Sequence, residues 1–164
     1  MTINSKKKGN GFERIISNKL SERFENHTNL KQSFRRNVDS GSFFGGSNIS
    51  RCGTHDLSSA TFGDIVTPDN FKFVIECKFY ANPLSLKNIM KQSDPKIDSW
   101  IKQVSQDSDV CGLSPVIIVK YNNHPVYVIS KDKSDCFVTY KEWGFMDFDR
   151  WLNKDISYFF KGNK

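Results

Sequence analysis

Apolar positions in this chain fall first at helical spacing, then at strand spacing, and then in alternating blocks of both. Phe12, Ile15, Ile16, Leu20 and Phe24 recur at steps of three and four, which predicts a helix from about Gly11 to Glu25, ended by the polar run Asn26 to Asn29. Glu13 lies beside that stripe, at the edge of whatever the helix packs against. Residues 1–10, with Lys6, Lys7 and Lys8, carry no apolar period and read as a flexible basic arm. Between Lys31 and Ala60 the period disappears. Lys31, Arg35, Arg36 and Arg51 are interleaved there with Phe34, Phe43 and Phe44, around a Gly/Ser run at 40–47. A loop of that length inside a domain is either functional or disordered.

Thr61 to Val66 and Phe71 to Phe79 are strand-like, and the turn cluster Thr67-Pro68-Asp69-Asn70 between them predicts a β-hairpin. Helical spacing returns weakly after Asn82-Pro83 and plainly at Ile97, Trp100, Ile101 and Val104, running to about Asp109 with Gly112 as its stop. Val116 to Lys120 and Val126 to Ile129 form two strands around the turn Asn122 to Pro125. Cys136 to Tyr140 reads as a short edge strand, and Phe145, Phe148, Trp151 and Leu152 mark a closing helix. The order α-β-β-α-β-β-β-α describes an α/β fold, a mixed sheet flanked by helices, forming one domain over residues 11–164.

Composition narrows the partners. The 164 residues suffice for a real core, and the net charge of +6 favours polyanions such as nucleic acid or a membrane surface. No segment has the apolar length to span a bilayer, and no apolar run follows the lysines to make a secretory signal. The four cysteines (Cys52, Cys77, Cys111, Cys136) form no CxxC pair and no zinc spacing with His27, His55 or His124. A reducing, intracellular (cytoplasmic) compartment is therefore expected.

Chemistry concentrates on the strand Phe71 to Phe79. Alternation places Phe71, Phe73, Ile75 and Cys77 on one face and Lys72, Val74, Glu76 and Lys78 on the other. The strand is apolar on both sides at its centre, so the charged pair at its end needs a reason, because burying ions costs several kcal/mol each unless they are paired or bind something. With an odd loop of Pro68 to Lys72, Asp64 faces Glu76 across the hairpin; an even loop would put the two on opposite faces. Two converging carboxylates repel unless a cation lies between them, and hard oxygen ligands suit Mg²⁺ or Mn²⁺. A lysine beside such a site can orient water or stabilise charge developing on a phosphate. Glu13 is a candidate further ligand, and Gln103 a candidate to hold the lysine or a water.

Gly63-Asp64-Ile65-Val66 followed by Val74-Ile75-Glu76-Cys77-Lys78 resembles the Asp…Glu-x-Lys signature of the PD-(D/E)XK nucleases, with Gly63 where that motif has proline. The leading helix with Glu13, the Gly/Ser-rich loop, the helix with Trp100 and Gln103 and the segment Ser114 to Lys120 extend the likeness. The arrangement from about Gly9 to Ile129 is similar to that of archaeal-type Holliday junction resolvases and related phage and prophage resolvases. The resemblance implies a restriction-endonuclease-like fold with Asp64, Glu76 and the Cys77 carbonyl as metal ligands. It further implies Lys78 as the catalytic lysine, Glu13 as the helix carboxylate, Mg²⁺ (with Mn²⁺ able to substitute) as cofactor, and a homodimer acting on four-way DNA junctions in a bacterial, archaeal or phage setting.

Each candidate has a plainer reading. Asp64, Glu76 and Lys78 would otherwise be a surface ion-pair ladder, which the apolar strand argues against. Glu13 would be a solvated helix residue like Glu22 and Glu25, and Gln103 an exposed amide. Lys6, Lys7, Lys8 and Lys120 either follow phosphates or are solvated lysines. Arg35, Arg36 and Arg51 with Phe43 and Phe44 combine charge with rings that stack on or wedge between bases; those rings would otherwise serve a dimer contact or the core. Alternatives to a resolvase are a sequence-specific or repair-type nuclease, and a non-catalytic DNA-binding module on the same fold.

Overall fold

A four-residue step dominates the first helix of the computed structural model, which describes residues 5–37 and 62–162. Helix α1 (Ser5–Thr28) buries Phe12, Ile16, Leu20 and Phe24 as one stripe. Ile15, expected in that stripe, lies a quarter-turn away and is 54% exposed. The helix starts at Ser5 rather than at Gly11, so the stretch read as a flexible arm is helical from that residue onward. Tertiary contact explains this: the Lys8 ammonium sits 4.1 Å from the centre of the Phe79 ring and donates a 2.7 Å hydrogen bond to the Asn122 side chain.

Two short strands follow, β1 (Arg35–Arg36) and β2 (Ile65–Val66), and they pair with each other antiparallel, Arg35 opposite Val66 and Arg36 opposite Ile65. This corrects the expected hairpin. Strand β3 (Phe73–Tyr80) instead belongs to a five-stranded sheet and pairs in parallel with β4 (Ser114–Tyr121). The chain crosses between them through α2 (Leu86–Met90) and α3 (Pro95–Cys111). Helix α3 is set at both ends. The Asp94 carboxylate accepts from the Lys96 and Ile97 amides, Pro95 opens the first turn, and Gly112 closes it at φ 71°.

The remaining strands are antiparallel: β5 (Val126–Ser130), β6 (Val138–Tyr140) and β7 (Trp143–Asp147). The strand order is β3-β4-β5-β7-β6, so β3 forms one edge. Strand β7 occupies the first part of the expected closing helix, and only Phe148–Leu152 (α4) is helical there, followed by α5 (Ile156–Phe159). Four consecutive buried residues, Trp143 to Met146, leave no two-residue alternation to read.

The sheet thus has a core on each face. On one, α1, α4 and α5 cover Phe73, Ile75, Val116, Ile118, Val128 and Met146. On the other, α2 and α3 cover Val74, Ile117, Val119, Ile129 and Phe145. The chain after α5 returns beside the start of β3: Phe71 and Phe160 form an isolated bridge and the Lys161 amide donates to the Asn70 carbonyl. The result is a mixed α/β fold, a five-stranded mixed sheet flanked by helices, consistent with a restriction-endonuclease-like architecture. Among the described residues no helix is long and apolar enough to cross a membrane.

Candidate active site

Strand β3 presents opposite chemistries on its two faces. Phe73, Ile75, Cys77 and Phe79 enter the core under α1, whereas Val74, Glu76, Lys78 and Tyr80 face α3. Glu76 is only 3% exposed. The Lys78 ammonium donates to Glu76 Oε1 at 2.6 Å and to Gln103 Oε1 at 2.9 Å, while Gln103 Nε2 donates to the same Glu76 oxygen at 2.6 Å. One amide on α3 therefore holds both members of the buried pair, accepting from the base and donating to the acid. That closed triangle fixes where the lysine proton points.

Asp64 reaches the same strand from its free edge. Its backbone amide donates to the Ile75 carbonyl at 2.8 Å and its Oδ2 accepts from the Cys77 amide at 2.7 Å. Its own carbonyl turns the other way and accepts from the Asn37 amide. The residue links β1 to β3 through three bonds, which replaces the cross-strand register expected from a hairpin. In an extended strand the N–H and C=O of one residue point to the same side, so the Cys77 carbonyl shares the edge on which Asp64 sits. The Cys77 thiol faces the opposite way, into the core, where burial above all, and then the Asp64 charge, push it well above the ordinary thiol value.

Glu13 approaches from α1, on the other side of that edge. Its Oε2 is 2.5 Å from Arg36 Nε, and the Arg36 guanidinium also donates to the Asn10 side chain at 3.0 Å. Burial raises the Glu13 pKa, helped by the Asp64 charge and opposed by Arg36 and Lys78. Glu76 is raised too, by burial first and by Asp64 next, against the pull of Lys78. Burial works to lower Lys78, but the Glu76 charge and hydrogen bond outweigh it and the lysine is raised. Asp107 of α3 is raised by burial, with Asp64 adding to the effect.

These mutual influences put four acids (Glu13, Asp64, Glu76, Asp107) and two bases (Arg36, Lys78) in one partly buried neighbourhood. An excess of two carboxylates over bases, with two of the acids nearly buried, is the charge balance that a divalent cation relieves. The available donors are oxygens, with the Cys77 thiol turned away into the core, which fits a hard cation such as Mg²⁺, Mn²⁺ or Ca²⁺. Asp64, Glu76 and the Cys77 carbonyl are the groups at hand, with Glu13 behind them. Among the described residues no three His, Cys, Asp or Glu side chains stand ready as a coordination shell. Lys78 and Gln103 occupy Glu76 Oε1 and the Cys77 amide occupies Asp64 Oδ2, which leaves the second oxygen of each carboxylate as the donor for a cation.

The structure brings Asp64, Glu76, Cys77, Lys78, Gln103 and Glu13 together around the edge of β3. The basic residues divide. Lys8 lies over Phe79 at the end of β3, beside Lys120, which β4 places opposite Phe79 and whose ammonium donates to the His124 carbonyl. Lys7 and Arg35 are exposed, while Arg36 is committed to Glu13. Arg51, Phe43 and Phe44, with the Lys6 side chain, lie outside the described residues.

Two further residues, Asp107 and Asn37, were not singled out in the sequence, and Gly63 was noted there only as a departure from proline. Asp107 stands one turn beyond Gln103 on α3, so the spacing from Gln103 was the available signal. Asn37 carried none. Gly63 explains the departure from proline: its φ is 68°, and a Cβ there would sit 2.5 Å from the Ile75 carbonyl oxygen. Proline, with φ fixed near about −65°, cannot take that conformation, and any side chain would strike β3.

No curated protein and no solved structure matches the chain. A family model described as "Phage putative PDDEXK endonuclease" matches residues 4–151, a span holding every group of the site. The chain belongs to this family of phage PD-(D/E)XK endonucleases.

Proposed function

We propose that this protein is a Mg²⁺-dependent, structure-selective endodeoxyribonuclease that hydrolyses phosphodiesters at branched DNA, as a Holliday junction resolvase does. The observation that carries the hydrolytic part is the Lys78–Glu76–Gln103 triangle beside Asp64 on one buried strand end. The preference for junctions rests on the likeness to resolvases in element order from about Gly9 to Ile129. A homodimer goes with it, because symmetric cutting of a junction needs two sites.

A divalent cation held by Asp64, Glu76 and the Cys77 carbonyl would supply Lewis-acid stabilisation of the scissile phosphate and acidify attacking water. The rest is done by the chain. Lys78, kept protonated by Glu76, donates a proton-bearing ammonium toward the attacking water or the negative charge that develops on phosphate oxygens. Gln103 restrains that ammonium, so little reorientation remains at the moment of reaction. Lys8 and Lys120 at the end of β3 and β4, with Lys7 and Arg35, offer positive charge along which a phosphate backbone would run, with affinity that falls as salt rises. Arg51, Phe43 and Phe44 extend the same proposal to the segment between β1 and β2.

The test is cleavage of a labelled four-way junction, with duplex and single strand as controls, by wild type and Lys78→Ala in Mg²⁺. Paired nicks confined to the junction and lost in the variant are the expected result. Equal cutting of all three substrates would keep the nuclease and discard the resolvase. DNA binding that survives EDTA, with no cutting in Mg²⁺ or Mn²⁺, would leave only a binding module.

A further inference from the structure

We infer that the seam between β3 and α3 continues past Lys78 into a second phosphate subsite, where the Tyr80 hydroxyl and the Lys96 ammonium take the DNA phosphate next to the scissile one. This rests on the nuclease reading above and adds a contact to the same strand of substrate. Alternation puts Tyr80 on the face that carries Glu76 and Lys78, one strand step beyond the lysine. Helix α3 keeps pace with it. Gln103 holds Lys78, while Trp100 and Lys96, three and seven residues back on the same helical face, meet Tyr80. The Tyr80 ring stacks on Trp100 with centres 5.2 Å apart and planes at 26°, and the Lys96 ammonium lies 4.7 Å from the centre of the Tyr80 ring. Trp100 Nε1 donates to the Tyr80 hydroxyl at 3.3 Å.

Those contacts place the two donors without using them up. The hydroxyl oxygen accepts from Trp100, so its own hydrogen is left to donate, and it meets no acceptor among the described residues. The Lys96 ammonium has a ring beside it but no carboxylate or carbonyl partner among them. Other lysines differ: Lys78 is tied to Glu76, Lys141 to Asp98 and Lys154 to Asp132. The acids closest to Lys96 in sequence are already engaged, Asp94 by α3 amides and Asn88, Asp98 by Lys141 and Tyr140. Trp100 is buried, Tyr80 half-buried and Lys96 exposed, so the anchor lies inside and the donors face outward. An ordered hydroxyl beside an unpaired cation suits the oxygens of a phosphate. Two strand residues span about 7 Å, the order of the separation between consecutive phosphates of one DNA strand. With the scissile phosphate at Lys78, its neighbour falls at Tyr80.

Binding of a labelled four-way junction and a duplex without divalent ions reads the subsite apart from cleavage. Lys96→Ala is expected to bind about tenfold more weakly at low salt and to lower the salt slope by about one, since one phosphate contact is lost. Tyr80→Phe keeps the stacked ring and should bind about fivefold more weakly at unchanged slope, because it loses a hydrogen bond but no charge. Lys133→Ala removes an exposed lysine between β5 and β6, near the opposite edge of the sheet, and should bind as wild type does. In Mg²⁺, an uncharged methylphosphonate at one of the two phosphates flanking the cut should slow wild type about tenfold and Lys96→Ala by no more than about twofold. Wild-type affinity in Tyr80→Phe or Lys96→Ala would overturn the inference. So would a Lys133→Ala variant as weak as Lys96→Ala, or equal methylphosphonate penalties in wild type and Lys96→Ala. Wild type that binds DNA but cuts none would sink the nuclease reading and leave the binding comparison to decide the subsite. Absence of DNA binding would overturn both.

Discussion

One face of β3 meets rings and the other meets charges, and the contrast shows how a single strand serves two ends. Under α1, Phe71 and Phe73 lie among Phe24, Phe34, Trp151, Phe159 and Phe160, with ring centres 4.8–6.3 Å apart in mostly tilted or edge-on pairs. Such packing gains from area and geometry alike. Toward α3, Glu76 and Lys78 are buried at a cost and are held by an amide. The first face fixes the backbone so firmly that the second can keep a carboxylate in an unfavourable place.

If that division is right, damage to the two faces should be read out differently. The largest loss of stability should come from Phe24→Ala, which removes a fully buried ring in contact with four others; about 3–5 kcal/mol is expected from chemical denaturation. A loss under 1 kcal/mol would mean that the ring cluster does not set the stability. Glu76→Gln should do the reverse, lowering cleavage about a hundredfold or more while changing the stability of the metal-free protein at neutral pH little, because the amide keeps an oxygen to accept from Lys78 and Gln103. Parallel losses of activity and stability in that variant would erase the contrast. Gln103→Ala should cut kcat about tenfold by freeing Lys78, with little change in melting temperature.

The smallest effect is in pH. Burial and Asp64 raise Glu76 above its ordinary value of 4.5, so its folded form binds a proton that the unfolded form has lost. Its contribution is full below that ordinary value and is lost as pH rises through the higher folded one. Metal-free protein should accordingly lose stability on going from about pH 5 toward neutrality and beyond, and Glu76→Gln should flatten that slope. A Glu76→Gln curve parallel to wild type would show that the carboxylate is ionised throughout.

How much could be read beforehand follows the same division. Glu76 and Lys78 were legible because alternation on a strand fixes which side chains share a face, and the Trp100–Gln103 helix because its stripe keeps period. Asp64 was legible as a residue but not in its manner of approach. The strand that follows it, Ile65–Val66, is two residues long and pairs with Arg35–Arg36, about thirty positions earlier, and no local pattern encodes a partner so distant. Asn37 acts on a glycine backbone, so its contact leaves no trace in residue spacing. Strand β7 hid behind rings at 145, 148 and 151 whose spacing mimics a helix, and the start of α1 hid because Gly9 and Gly11 are poor helix formers held there by the contact of Lys8 with Phe79.

The bond from the Cys77 amide to Asp64 also bears on how the molecule behaves in a crowded solution. An outer strand with open amides and carbonyls invites a strand from another molecule, and proteins guard such borders with charge or irregular chain. Here a carboxylate stands where a neighbouring strand would dock, and it belongs to the site itself. Asp64→Ala, the natural choice for a cleavage-dead control, would strip that guard along with the reaction. Such a control should be checked for self-association by light scattering before its DNA binding is interpreted, and Asp64→Asn, which keeps an acceptor for the Cys77 amide, is the safer substitute.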